Sequence, residues 1–135
     1  MALINWSDDL SVKIKEFDDE HKNLVQMINE LYDNMKVGKG KEVLEEILNR
    51  LVKYTVHHFA HEEKLMNQYN YPDVKIHKAA HDNLVKQVNE LKQNLDSGKT
   101  VLTINVLEFL KEWLNAHIMG TDKKYTNYLN AKGIK

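Results

Sequence analysis

A chain of 135 residues with 42% hydrophobic content and no cysteine is long enough for one packed core. The absence of cysteine excludes disulfides, cysteine-ligated zinc and iron–sulfur clusters. Its 19 basic and 20 acidic residues leave a formal net charge of -1, which supplies no electrostatic footprint for nucleic acid or an anionic membrane.

One proline and five glycines favour long helices over a turn-rich β fold. The N-terminus, Met1-Ala2-Leu3-Ile4-Asn5-Trp6, lacks the basic-then-apolar pattern of a signal peptide. No apolar run approaches the ~20 residues that span a bilayer, so a cytoplasmic protein is expected. Residues 1–17 read as an irregular arm with alternating apolar residues. The first helix is predicted from Asp18, an acceptable N-cap, to about Lys36, where Gly38-Lys39-Gly40 breaks it. The second runs from about Lys41 to Asn70, stopped by Tyr71-Pro72. The third starts near Asp73 and ends before Ser97-Gly98, and the fourth covers roughly Thr103 to Ile118. After Gly120 a short helical tail, Asp122 to Ala131, precedes Gly133. With no repeat, low-complexity tract or linker, residues 1–135 read as a single domain. Short connections between long helices imply an all-α, up-down-up-down four-helix bundle with an N-terminal arm and a short C-terminal helix.

Within the helices, apolar residues recur at steps of three and four, the mark of an inward stripe. The stripes are Leu24, Ile28, Leu31 and Met35; Leu44, Leu48, Leu51 and Thr55; Leu84, Val88, Leu91 and Leu95; and Thr103, Leu107, Leu110 and Leu114. Each continues in register into polar residues: His21; His58 and Glu62; His77 and His81; and His117, with Asp122 close behind. These lie at the start, end, start and end of successive helices, which is one pole of an up-down bundle. Burying an unpaired polar group is costly. Seven converging in one core need a compensating partner, and a pair of cations supplies it.

Residues i and i+4 are offset by roughly 40° around a helix and ~6 Å along it. His58 with Glu62, and His77 with His81, can therefore each reach one centre. His117 and Asp122 are five apart, about 140° around an ideal helix. They converge only if the helix bulges or unwinds between them, near Gly120. Imidazole binds iron, zinc, copper and nickel, whereas carboxylate favours harder ions, so the set suits iron. Seven ligands exceed the four of a structural zinc site. Two carboxylates serve two cations only by bridging, which makes Glu62 and Asp122 the bridges. His57 and His61 are also four apart but sit about 100° off the seam; they are expected on the flank or surface and not as ligands. Glu63 is expected to point away into solvent.

The segments Asn5-Trp6, Asp18-Asp19-Glu20-His21, His58-Phe59-Ala60-His61-Glu62-Glu63-Lys64-Leu65-Met66, Tyr71-Pro72, His77-Lys78-Ala79-Ala80-His81 and His117-Ile118-Met119-Gly120-Thr121-Asp122 carry a resemblance. Together they resemble the hemerythrin family, and in particular its single-domain bacterial members, the bacteriohemerythrins. Up-down four-helix bundles are already described for that family. The resemblance covers nearly the whole chain. It implies one iron held by His77, His81 and His117 and another by His21 and His58. Glu62 and Asp122 would bridge both irons, with a solvent-derived oxo or hydroxo group. It further implies reversible O2 binding at the open position of the two-histidine iron. Leu24, Phe59, Trp113, Leu114 and Ile118 resemble the family's apolar pocket lining, which keeps out water and acid. Tyr125 resembles the tyrosine that the family places near a bridging carboxylate.

The expectation is an O2-binding protein for storage, delivery or buffering, with an oxygen-using enzyme as recipient, and not itself an enzyme. The competing reading is a di-iron oxidase or peroxidase. Ferritin-like oxidases use two Glu-x-x-His motifs, and no glutamate here has a histidine three residues later. An oxygen-sensing module would imply a fused output domain, for which a chain ending at Lys135 leaves no room.

Overall fold

Four long helices carry the chain: α1 Lys15–Lys36, α2 Lys41–Gln68, α3 Val74–Asp96 and α4 Ile104–Gly120. A 3-10 turn, Asp8–Leu10, precedes them; a second, Asp122–Tyr125, and a short helix, α5 Thr126–Ala131, follow. The computed structural model describes residues 3–38, 41–98 and 104–135. Lys39 and Gly40 of the expected glycine break, and Thr103 of the expected fourth stripe, lie outside the described residues. α1 packs against α2 and α4, and α2 against α3, the neighbour relations of an up-down-up-down bundle. Among the described residues no helix is long and apolar enough to cross a membrane.

The inward stripes form the core. Leu24, Ile28, Leu31, Leu48, Leu51, Leu107, Leu110 and Leu114 are fully buried, and each such side chain contributes roughly 1.5–3 kcal/mol by leaving water. Met35, Leu44, Leu84 and Leu91 pack against this core only partly buried. The stripes of α1 and α2 loosen away from the histidine pole, whereas along α3 the partly buried Leu84 and Leu91 alternate with the buried Val88 and Leu95.

The N-terminal arm departs from expectation. α1 begins at Lys15, with Ile14 at the N-cap and no side-chain cap bond. Asp18 lies one turn inside. Its carboxylate accepts from Ser11 Oγ at 2.6 Å and from the Val12 N–H at 2.8 Å. Asp18 does serve unpaired donors, but those of the preceding arm, so the N-cap assignment was misplaced. Asn29 holds the arm further out. Its Oδ1 accepts from the Ile4 N–H at 2.9 Å, and its Nδ2 donates to Ile4 O at 2.8 Å. With Ile4, Leu10, Val12 and Ile14 buried, the arm is part of the core.

The far side of the site is built at two turns. Between α2 and α3, Asn70 takes φ +56°, a left-handed conformation that asparagine tolerates, and the Tyr71 N–H reaches back to Met66 O at 2.9 Å. The hydroxyl of Tyr128 on α5 lies 2.6 Å from Tyr69 O and 2.9 Å from Asn70 O, donating to this turn. After α4 the irregularity expected between His117 and Asp122 is present, as unwinding and not as a π-bulge. The Thr121 N–H still bonds His117 O at 2.9 Å, and the chain then tightens into the 3-10 turn that starts at Asp122. Gly120 is not what permits this. Its φ is not in the positive range, and a Cβ there would meet nothing within 4 Å.

Candidate metal centre

All seven predicted residues meet at one pole. His21 sits on the second turn of α1, His58 and Glu62 near the end of α2, His77 and His81 on the first turns of α3, and His117 near the end of α4. Asp122 opens the 3-10 turn beyond it. All are buried: His21, His58, Glu62 and Asp122 have no exposure, and His117, the most exposed, has 5%.

The two carboxylates lie between the rings. Asp122 Oδ1 is 2.9 Å from His117 Nε2 and 3.0 Å from His77 Nε2, while its Oδ2 is 3.0 Å from His21 Nε2. Glu62 Oε1 is 3.1 Å from His81 Nε2 and 3.3 Å from His58 Nε2. The ligand atoms form two groups, each with all its atoms within 4.8 Å of one another. One contains His77, His81 and His117, the other His21 and His58; Glu62 and Asp122 belong to both.

These atoms do not satisfy each other. The Nε2 atoms of all five histidines, Glu62 Oε1 and both oxygens of Asp122 are buried without a hydrogen-bond partner. They lie close to one another yet form no hydrogen bonds. An uncompensated buried polar atom costs about 1–3 kcal/mol, and so many converging on two points are the signature of cation sites. The donor set, imidazole nitrogen with carboxylate oxygen, fits iron.

The charges follow from the same crowding. Burial opposes ionisation of Asp122, but His117, His21 and His77 around it hold its carboxyl well below the usual range. Glu62 is also lowered, against burial and against Asp122, by His58, His81 and His21. Burial opposes charge on His21 and His117, yet the two carboxylates push both upward.

A second layer of groups orients the rings, and sequence reasoning missed most of it. Glu63, expected in solvent, is only 19% exposed, and its Oε2 accepts from His81 Nδ1 at 3.0 Å. Its position one residue after Glu62 turns it outward from the metal groups but toward α3, whose first turns lie beside it. Glu20 accepts from His58 Nδ1 at 2.5 Å and from His61 Nδ1 at 2.7 Å. A carboxylate on the far nitrogen of a ligand ring fixes its tautomer and leaves Nε2 free to bind. His57 is exposed and His61 half-buried at the rim, and neither belongs to the two groups. Tyr125, fully buried, donates from its hydroxyl to Glu62 Oε2. Its phenol is pushed well above its usual range by burial and by Glu62 and Asp122. Leu24, Phe59, Trp113, Leu114 and Ile118 are all buried. Phe59 stacks on His81, with ring centroids 3.9 Å apart and planes 2° apart.

A family model described as the hemerythrin HHE cation binding domain matches residues 12–129. The chain belongs to the hemerythrin family. It is 32% identical over 131 residues to a bacteriohemerythrin of Stenotrophomonas maltophilia, covering 97% of this chain and 84% of that one. It is 33% identical over 132 residues to a bacteriohemerythrin of Methylococcus capsulatus, covering 97% of this chain and all of that one. A crystal structure of wild-type hemerythrin superposes with a TM-score of 0.88 at 31% identity, over 93% of this chain and 97% of that one. The four-helix bundle found here is the hemerythrin architecture, and the paired histidine–carboxylate groups occupy its interior.

Proposed function

We propose that residues 1–135 act as a single hemerythrin-like domain that binds O2 reversibly at a non-haem di-iron centre, for storage, delivery or buffering, and not as an enzyme. In this reading His77, His81 and His117 hold one iron and His21 and His58 the other, with Glu62 and Asp122 shared by both. The observation that carries it is the partition of unsatisfied buried atoms into two groups, one with three rings and one with two. The group with one ring fewer would leave its metal able to take an exogenous ligand. An iron pair held there would supply the two electrons that reversible O2 binding requires.

The rest is the work of the chain. Asp122 turns one oxygen toward His21 and the other toward His77 and His117, so it would contribute an oxygen to each of the two groups. Glu20 and Glu63 keep His58 and His81 in the tautomer that binds through Nε2. The buried side chains of Leu24, Phe59, Trp113, Leu114 and Ile118 would exclude water and external acid from the site. An oxygen-using enzyme would be the recipient of what such a store releases. The test is optical. Reduced protein carrying about two irons per chain should change spectrum on adding O2 and return when O2 is removed. An irreversible change, or repeated peroxide turnover without stable O2 uptake, would replace this reading with that of an oxidase or peroxidase.

A further inference from the structure

We propose that Glu20 is a positioning residue for the two-histidine metal, and that the rim residue His61, which holds no metal, shares this role by anchoring the carboxylate. The proposal rests on the di-iron reading above.

Glu20 immediately precedes His21 on α1 and reaches across to α2. It receives two rings, one on each oxygen: His58 Nδ1 on Oε1 and His61 Nδ1 on Oε2. An ionised carboxylate can only accept, so both Nδ1 atoms carry their protons. His58 then keeps the Nε2 lone pair turned inward toward Glu62. Without this anion, a neutral His58 is free to carry its proton on Nε2, the nitrogen that must bind. The carboxylate also strengthens His58 as a donor by polarising its N–H.

Nothing comparable supports the other ring of this group, because His21 Nδ1 is buried without a partner. The two-histidine group therefore has one carboxylate-backed ligand, and so has the three-histidine group, where Glu63 backs His81. The two backing carboxylates differ in how they are held. The second neighbour of Glu63 is Lys78, whose Nζ lies 3.9 Å away on a side chain 57% exposed. The second neighbour of Glu20 is a ring that is itself fixed. The buried side chain of Phe17 meets His61 edge-on at 5.2 Å and His58 edge-on at 6.1 Å. His61 Nε2 lies 3.4 Å from Glu16 Oε2, on the outer side. Both nitrogens of His61 are thus engaged with carboxylates of α1. Losing the N–H of His61 frees Oε2 and lets Oε1 swing from His58. A change at the surface is in this way transmitted to a metal ligand.

The test uses the full chain, stripped of metal and reloaded with Co(II) against a competing chelator, so that two stepwise affinities are read. Proton NMR of the Co(II)-loaded protein follows the shifted, exchangeable Nδ1–H resonances of the ligand rings. Glu20→Gln keeps the shape and removes the charge. It should weaken one of the two metals by about 10- to 100-fold, leave the other unchanged, and displace one exchangeable resonance. His61→Ala should weaken the same metal to a lesser degree, and His61→Gln, which retains an N–H donor, should restore it. A parent chain that binds fewer than two metals overturns the di-iron reading and this proposal with it. A two-metal parent that Glu20→Gln matches in both affinities and resonances overturns the proposal alone, as does equal weakening of both metals. A His61→Ala variant identical to the parent removes His61 from the role.

Discussion

On the proposed O2-binding function, the difference between a carrier and an enzyme would turn on Leu114. It lies one turn before His117 on the same stripe and is 2% exposed. A branched apolar side chain there blocks water and offers no proton. Leu114→Ala should open the pocket and speed conversion of the oxygenated protein to its oxidised, non-binding form, with iron content unchanged. Stability should fall by roughly 2–5 kcal/mol for a buried leucine truncated to alanine. The measurements are the autoxidation rate and a denaturant unfolding curve. A parent that oxidises as fast as the variant would favour the enzyme reading. The ligands themselves were readable at this scale, because HxxxE and HxxxH spacing follows from helix geometry alone. Glu20 and Glu63 were not, and Tyr125 was named only through the family resemblance. Their partners are 38, 18 and 63 residues away in sequence, and no period along one helix announces such a pair.

At the scale of elements, the arm and the tail matter more than their length suggests. The arm is fastened chiefly by Asp18 and Asn29, and the Thr126 hydroxyl ties the tail to it by donating to Val12 O at 2.8 Å. Asp18→Ala removes the acceptor for Ser11 Oγ and the Val12 N–H. It should cost about 1–3 kcal/mol, the range for a buried donor left without its partner, and release the arm. The checks are a lowered thermal midpoint and faster amide exchange at Val12, with two metals still bound. Unchanged exchange at Val12 would mean that the arm is held by its apolar residues alone. The tail shows why boundaries are harder to read than stripes. Gly120 suggested a break, and the break is there. The turn at Thr121 and the 3-10 geometry after it owe nothing to the glycine, since its φ is ordinary.

For the whole molecule, the metal-free chain carries opposed groups whose signs can be worked out. Asp122 and Glu62 are lowered in the folded state. They contribute stability that is present above their ordinary values of 3.8 and 4.5 and is lost as pH falls through the lowered ones. His21 and His117 are raised. They contribute stability that is present below the ordinary value of 6.5 and is lost as pH rises through the raised ones. The metal-free protein should therefore be most stable between the ordinary carboxylate and histidine values, and weaken on either side. The loaded protein should differ, because metal requires neutral rings; it should keep its stability to higher pH and lose metal on acidification. Urea unfolding followed across pH, with and without metal, checks both statements. Metal-free stability that climbs steadily above neutral pH would contradict them.

Periodicity and connection length by themselves determined a great deal. Steps of three and four assign a face to every residue of a helix, and short turns between long helices leave only the up-down arrangement. From those two facts His21, His58, Glu62, His77, His81 and His117 had to share one pole, since direction and height are both set locally. How the seven groups divide was implied by the family resemblance and not by periodicity; only the tertiary structure decided which carboxylate oxygen faces which ring, and that Asp122 reaches the site from a 3-10 turn. It alone placed Glu20 and Glu63 against Nδ1 of His58 and His81, because these carboxylates approach from neighbouring helices at angles set by side-chain packing. Helical periodicity is a property of one segment. Lateral distances between segments depend on every side chain in the interface at once, and no single stretch of sequence contains them.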